Sequence, residues 1–242
     1  MPILNMIYWA TWWGGGGWTP DATRTIFYYD FEDSNNRLKD SSGNNNNATW
    51  TTAITYTTVG TQTVVEATWK PNGVSINWNC GSSIGTWDFT ISFRVYPKAW
   101  NLAYIFNMSD SNYVFWPQVW FDDVNTLWQW KKRVYNLKWG EERHSWSATA
   151  GYYNSWHHIV FTRSSWSVVV YLDNNIDATW TDTTTSFPSS WWIGFLLGRT
   201  NSSWQCFNSW AMGDKYILEN VAWSAQNVSD YFNQTKWDYW IS

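Results

Sequence analysis

The chain has 242 residues, a formal net charge of −4, and a composition of 14% charged, 44% hydrophobic and 21% aromatic residues. That length suits one large all-β domain with a short extension, and it can bury a full core without disulfide or metal staples. Lys and Arg are scattered, with Lys131-Lys132-Arg133 the only cluster, and no apolar run approaches membrane-spanning length. Neither nucleic acid nor membrane insertion is therefore expected.

Met1 to Thr23 reads as an extension. A short apolar piece, Ile3 to Tyr8, leads into a linker in which Trp12, Trp13 and Trp18 flank Gly14-Gly15-Gly16-Gly17. The segment has no Lys or Arg, and its glycines interrupt any apolar run, so no secretory signal is recognisable. An apolar peptide on a flexible linker suits docking onto a larger assembly, and a disordered tail is the equal alternative. The body looks extracellular, sparse in charge and rich in Asn, Ser, Thr and aromatics. A virion protein, assembled in the cytoplasm and working outside, reconciles the two. Its partners would be other virion or surface-appendage proteins reached through the extension, and a homo-oligomer is compatible with this setting.

The domain, 24–242, begins near Arg24. Ile26 to Phe31 reads as a strand. Leu38 to Thr49 follows as an Asx-rich turn around Asp40, Gly43, Asn44 and Asn46. Such a turn either bonds to its own backbone or aims carboxylate, amide and backbone oxygens at a cation, and Asp40 alone favours the former. Tyr56 to Ile76 alternates through Thr61 to Thr68, turns at Pro71-Asn72-Gly73 and ends in the short strand Val74-Ser75-Ile76. Cys80 and Cys206 lie far apart and form no metal-ligand pair, and whether they bond to each other stays open. Asp88 to Tyr96 is a strand with Phe89, Ile91, Phe93 and Val95 on one face. Leu102–Asn107, Tyr113–Phe121 and Thr126–Leu137 continue a meander, with Lys131, Lys132 and Arg133 on a solvated strand or turn.

Trp156 to Asp173 reads as two strands joined by the polar turn Arg163-Ser164-Ser165-Trp166 and closed by the turn signal Asp173-Asn174-Asn175. His157 and His158 invite a metal or catalytic reading, but a strand opening with one face buried is preferred. After Trp192 to Arg199 comes a closing segment, Gly213 to Ser224, and then a short helix, Ala225 to Thr235, with Ser224 as N-cap.

Several of these stretches together resemble the laminin-G-like, concanavalin A-like jelly-roll domains. The carriers are Trp156-His157-His158-Ile159-Val160-Phe161-Thr162 with the strand ending at Asp173, the stretch Asp40-Ser41-Ser42-Gly43-Asn44, the run Ile84 to Phe93, the strand around Ile193-Gly194, and the closing Gly213-Asp214. The resemblance implies an all-β, two-sheet antiparallel jelly-roll sandwich with a short C-terminal helix and with first and last strands side by side. It places Asp214 on the family's Asp, although Lys215 replaces the Glu that follows there. It further implies a calcium site made by Asp40, Asn44, Asn46 and Asp214, with calcium as cofactor.

Twenty-five Trp against 14 Gly inverts normal usage, in which Gly alone is about 7% of residues. Trp87 stands where the resembled family writes glycine, Trp139 precedes Gly140, and Trp166 is a turn residue. Turn sites of this kind often need φ > 0. The expectation is that many of these Trp stand for a codon read as glycine in the source, whereas Trp156 matches a family Trp and is genuine. If all are genuine, stacking of sugars on aromatic platforms gains weight.

The jelly roll also carries glycoside hydrolases, so the site must decide. Retaining enzymes need two carboxylates about 5 Å apart, set on this fold as E-x-D-x-x-E, and no such pattern occurs. Glu141 and Glu142 are adjacent and would point to opposite faces of a strand. Serine-hydrolase, P-loop and zinc-protease motifs are absent. No catalytic residue is assigned. The preferred reading is a non-enzymatic structural or adhesion module of a virion (phage tail, fibre or capsid decoration) or cell-surface appendage, used for surface or glycan attachment. The alternative is a calcium-dependent lectin-like domain, and a glycoside hydrolase ranks last. No ligand-binding residue is assigned, and the Asn-x-Ser/Thr sequons decide nothing.

Overall fold

Alternation of apolar and polar residues sends successive side chains to opposite faces of a strand, and in this chain it sorts the residues into a core face and an outer face. The computed structural model describes residues 19–51, 54–67, 73–75, 88–97, 103–107, 118–122, 131–136, 143–147, 154–182, 195–196 and 211–239. Within them the strands are, in order, β1 (Thr25–Tyr29), β2 (Thr49–Thr51), β3 (Ile54–Val59), β4 (Gln62–Ala67), β5 (Gly73–Ser75), β6 (Phe89–Pro97), β7 (Ala103–Asn107) and β8 (Gln118–Asp122). They continue with β9 (Lys131–Asn136), β10 (Arg143–Ser147), β11 (His157–Ser164), β12 (Ser167–Leu172), β13 (Asn175–Thr181), β14 (Phe195–Leu196) and β15 (Ala211–Glu219). Helix α1 (Ala225–Thr235) and a 3₁₀ turn, Lys236–Asp238, follow.

The strands form two antiparallel sheets of an all-β sandwich. One runs β13-β12-β11-β6-β15-β4-β3, with β1 also paired to β15; the other runs β10-β9-β8-β7-β14-β5-β2. Strand β15 has β6 along one side, while β1 and β4 share its other side. The first and last strands are thus neighbours. On the core face, Phe89, Ile91, Phe93 and Val95 of β6 join Ile159 and Phe161 of β11, Val168 and Val170 of β12, and Tyr216 and Leu218 of β15 in one buried cluster. Phe93 stacks on Tyr216 at 5.5 Å between ring centroids.

The outer face of the same sheet is covered by the C-terminal segment. Val160, Ile217 and Tyr171 pack against Trp223, Val228 and Tyr231. Ser224 caps α1 by accepting from the Asn227 N–H, and the Asn227 side chain reciprocates in a capping box.

The β11–β12 hairpin forms where the sequence predicts it, but its turn is the two residues Ser165-Trp166, because Arg163 and Ser164 of the expected four-residue turn pair with Val168 and Ser167. There the positive φ of 54° falls on Ser165. Asp173 and Asn174, at φ 49° and 67°, form the next turn, the two-residue Asx pairing that matches strand twist. Strands β10 and β13, which the sequence reading did not separate from loops, are additional. Trp12, Trp13, Trp18, Trp87, Trp139, the Glu141-Glu142 pair, Cys80 and Cys206 lie outside the described residues, as does most of the N-terminal extension.

Phe93→Ala is expected to lower the unfolding free energy by about 3–5 kcal/mol, the cost of a cavity in a closed core. Ile176→Ser, at a side chain 63% exposed, should change it by no more than about 0.5 kcal/mol. Urea denaturation monitored by far-ultraviolet circular dichroism checks both.

Candidate functional site

Asp40 is buried and fully engaged. Its Oδ1 accepts from the backbone N–H of Tyr28 and of Ser42, both at 2.9 Å. Its Oδ2 accepts from the Ser42 hydroxyl at 2.8 Å and the Asn46 N–H at 3.0 Å. Asn44 and Asn46 donate their side-chain amides to the carbonyls of Thr25 and Ile26, at 2.6 and 2.7 Å. The turn is thereby laced to β1. Asp214 belongs to a different set, accepting from the Lys215 N–H at 2.7 Å and the Tyr239 hydroxyl at 2.6 Å. Calcium takes about six to eight oxygen ligands in an open cage. As placed, Asp214 shares no hydrogen-bonding partner with Asp40, Asn44 or Asn46, and Asp40's lone pairs face protein donors, so the four do not fit a common cation. Among the described residues no group of three or more His, Cys, Asp or Glu side chains is placed to hold a metal.

Asp214 and Lys215 sit at a bulge. Asp214 pairs with Arg94 and Ile217 with Ser92, so β15 carries one residue more than β6 there, and Lys215 takes up the kink at φ 50°. The bulge turns both side chains to the C-terminal segment, where Lys215 Nζ meets Asp238 at 2.6 Å. Burial lifts the Asp214 carboxyl well above the usual carboxylate range, opposed by the Tyr239 hydrogen bond.

Beside it, Arg94 of β6 is almost wholly buried beneath the same segment. Its guanidinium lies 5.3 Å from the ring centres of both Phe232 and Tyr239 and donates to Thr235 Oγ1 and to the Phe232 carbonyl. His158, the register partner of Arg94, is also buried, with Nε2 on Ser92 Oγ at 2.8 Å and its ring over Phe232. Burial first, and the Arg94 charge second, hold its imidazole well below the ordinary histidine range. His158 is therefore a neutral core group.

Along the edge of this cap opens a cleft of about 770 Å³, within the range of small-ligand sites. Trp156, Tyr96, Tyr239 and Trp237 give it aromatic walls, and Val59 and Met212 add apolar surface. Trp156 packs on Tyr239 at 4.7 Å and on Tyr96 at 5.7 Å between centroids, while Trp237 is 67% exposed at the rim. Gly60, in the β3–β4 turn at φ 58°, lets the 3₁₀ turn close down: a Cβ there would meet the Asp238 carbonyl at 3.0 Å.

The polar side of the cleft is Asn154, Ser155, His157 and Asp173. His157 Nδ1 bonds to Asp173 Oδ2 at 2.7 Å and its Nε2 to Ser155 Oγ at 2.9 Å. Asp173 Oδ1 also accepts the His158 N–H at 2.8 Å. The trio has the connectivity of a Ser-His-Asp triad, but a triad works with N–H donors aimed at the developing oxyanion. The neighbouring Asn154 N–H is instead bonded to the Pro97 carbonyl at 2.8 Å. The two bonds fix the ring of His157 and orient one wall of the cleft. Sequence reading met His157 and Trp156 as a strand opening. It could not see that Trp237 and Tyr239, some eighty positions later, would face them.

No protein-family model and no curated protein matches the chain. Among solved structures it is similar to the binding domain of Paraclostridial Mosquitocidal Protein 1, at 18% identity and a TM-score of 0.66, covering 88% of this chain and 52% of that one. It is similar to the botulinum neurotoxin serotype D ligand binding domain in complex with N-acetylneuraminic acid, at 13% and 0.65, covering 88% and 51%. Domain 4 of AbnA, a GH43 extracellular arabinanase from Geobacillus stearothermophilus, in complex with arabinotriose, is similar at 18% and 0.62, covering 86% and 98%. The chain spans about half the length of the first two of these chains and nearly all of the arabinanase domain. At these identities the likeness establishes the β-sandwich fold. The laminin-G-like assignment within it rests on the sequence motifs alone.

Two outcomes follow from the geometry. Because donors already surround Asp40, the melting temperature in excess EDTA is expected to equal that in millimolar calcium; a rise of several degrees with calcium would restore the ion to this turn. The unfolded chain takes up a proton at His158 near pH 6.5, the folded chain only well below it. The stability this provides is full above pH 6.5 and falls with pH by about 1.4 kcal/mol per unit. His158→Gln should remove that slope between pH 6.5 and 5, read from urea midpoints across the range.

Proposed function

We propose that this chain is a non-catalytic glycan-binding module and that the cleft beside the C-terminal cap is its binding site. The carrying observation is the cleft's construction. An exposed Trp237 and a half-buried Trp156 face a wall of hydroxyl, amide, imidazole and carboxylate groups. Sugars present C–H faces that pack on aromatic rings and hydroxyl edges that need both donors and acceptors, and such a cleft supplies the two together. Two fold neighbours support the reading, since their structures are described as complexes with arabinotriose and with N-acetylneuraminic acid.

The setting we infer is attachment of a virion or surface appendage to a glycosylated surface, with the N-terminal extension joining the domain to its assembly. The low charge and the Gly/Trp linker support this part. A non-catalytic role is supported by the engaged Asn154 N–H beside Ser155. Calcium is no part of this reading, and the melting experiment above tests for it separately.

A glycan array followed by calorimetry tests the function. Saturable binding to at least one oligosaccharide is expected, weakened at least tenfold by Trp237→Ala with the melting temperature held. The protein should hydrolyse p-nitrophenyl acetate no faster than its Ser155→Ala variant. An array without binding, binding indifferent to Trp237, or Ser155-dependent turnover would each count against the reading.

A further inference from the structure

The structure assigns a ligand class to this cleft: we infer that it selects electrically neutral sugars and disfavours residues bearing a carboxylate, such as sialic or uronic acids. The inference rests on the glycan-binding reading of the same site. Among the described residues that line the cleft, Asp173 is the one carboxylate, and none is Lys or Arg.

Its side chain is 34% exposed, so its charge is felt in the cleft. After the bonds from His157 and the His158 N–H, each of its oxygens keeps acceptor capacity for a sugar hydroxyl. A carboxylate offers hydroxyls good acceptors but repels a second carboxylate at contact distance.

The nearby cations are committed elsewhere. Lys215 is paired with Asp238. Lys236 bonds to Asn233 at 2.8 Å and lies over the ring of Trp237, 4.9 Å from its centre. Arg94 is buried beneath Phe232 and Tyr239. Recognition of an acidic sugar relies on a guanidinium or ammonium that can meet its carboxylate, and none of these three lines the cleft. The aromatic walls and the Asn154, Ser155 and Asp173 edge suit a neutral ring that stacks on one side and hydrogen-bonds on the other.

The test uses the full chain on an array of matched pairs, each a neutral oligosaccharide and its sialylated or uronate counterpart, with arabinotriose among the neutral members. Expected is binding to neutral members, at least tenfold weaker for the acidic partner. Asp173→Asn, which keeps an acceptor and tolerates the left-handed turn, should narrow the gap to under threefold. Raising NaCl from about 50 to 500 mM should narrow it in the wild-type protein too, a reading that needs no variant. Acidic members bound as tightly as neutral ones, or more tightly, would overturn the inference. If that binding were still lost in Trp237→Ala, the glycan-binding reading would stand without it. Absence of binding by either kind would overturn both.

Discussion

The cleft exists because a buried guanidinium holds the end of the chain against the outer face of a sheet. Burying an unpaired charge is costly, and among the described residues no carboxylate lies within ion-pair distance of Arg94. Its compensation comes from two ring faces, Phe232 and Tyr239, and from Thr235 and the Phe232 carbonyl. All four belong to the segment it holds down. Removing the segment would leave Arg94 and His158 bare on the sheet, and removing Arg94 would leave the segment held by its apolar contacts, the Tyr239–Asp214 hydrogen bond and the Lys215–Asp238 pair.

Around that contact the sequence departs from plain alternation in ways that serve one end. The extra residue in β15 turns Asp214 and Lys215 outward, where they fix Tyr239 and Asp238. Gly60 leaves room for the 3₁₀ turn against the β3–β4 hairpin. Asn154, at φ 60°, precedes Ser155 and His157 at the start of β11. Each feature is local, yet together they position Trp237 and Tyr239 opposite Trp156. The hydrophobic core explains why a sandwich forms, while these polar exceptions explain why the sandwich has a cleft.

Most of the sheet was legible in the sequence. Phe89, Ile91, Phe93 and Val95 alternate cleanly and are all core, the β11–β12 hairpin announces itself by its turns, and Ser224 marks the start of α1. The pairing of first and last strands came from the family resemblance and holds. The cleft was not legible. Its walls come from segments far apart in sequence, and nothing in a Trp-Asp-Tyr stretch near the C-terminus says which face of which sheet it will cover. The Asx turn was legible as a turn, but its chemistry turned on which atoms face Asp40, and spacing cannot tell a backbone N–H from a metal ion.

The tryptophans divide along the same line. Trp223 donates its indole N–H to Glu219 at 2.6 Å and Trp156 packs between Tyr96 and Tyr239, so both act through side chains glycine lacks. At Trp166 the left-handed backbone sits on Ser165, which removes the conformational reason for a glycine there. Recoding stays a proposal for the linker and loop positions. The account as a whole turns on where a sugar sits. A crystal structure with the tightest-binding neutral oligosaccharide should show it against Trp237 and Trp156 with a hydroxyl on Asp173. Density for the sugar at the opposite end of the sandwich, with this cleft holding only water, would contradict it.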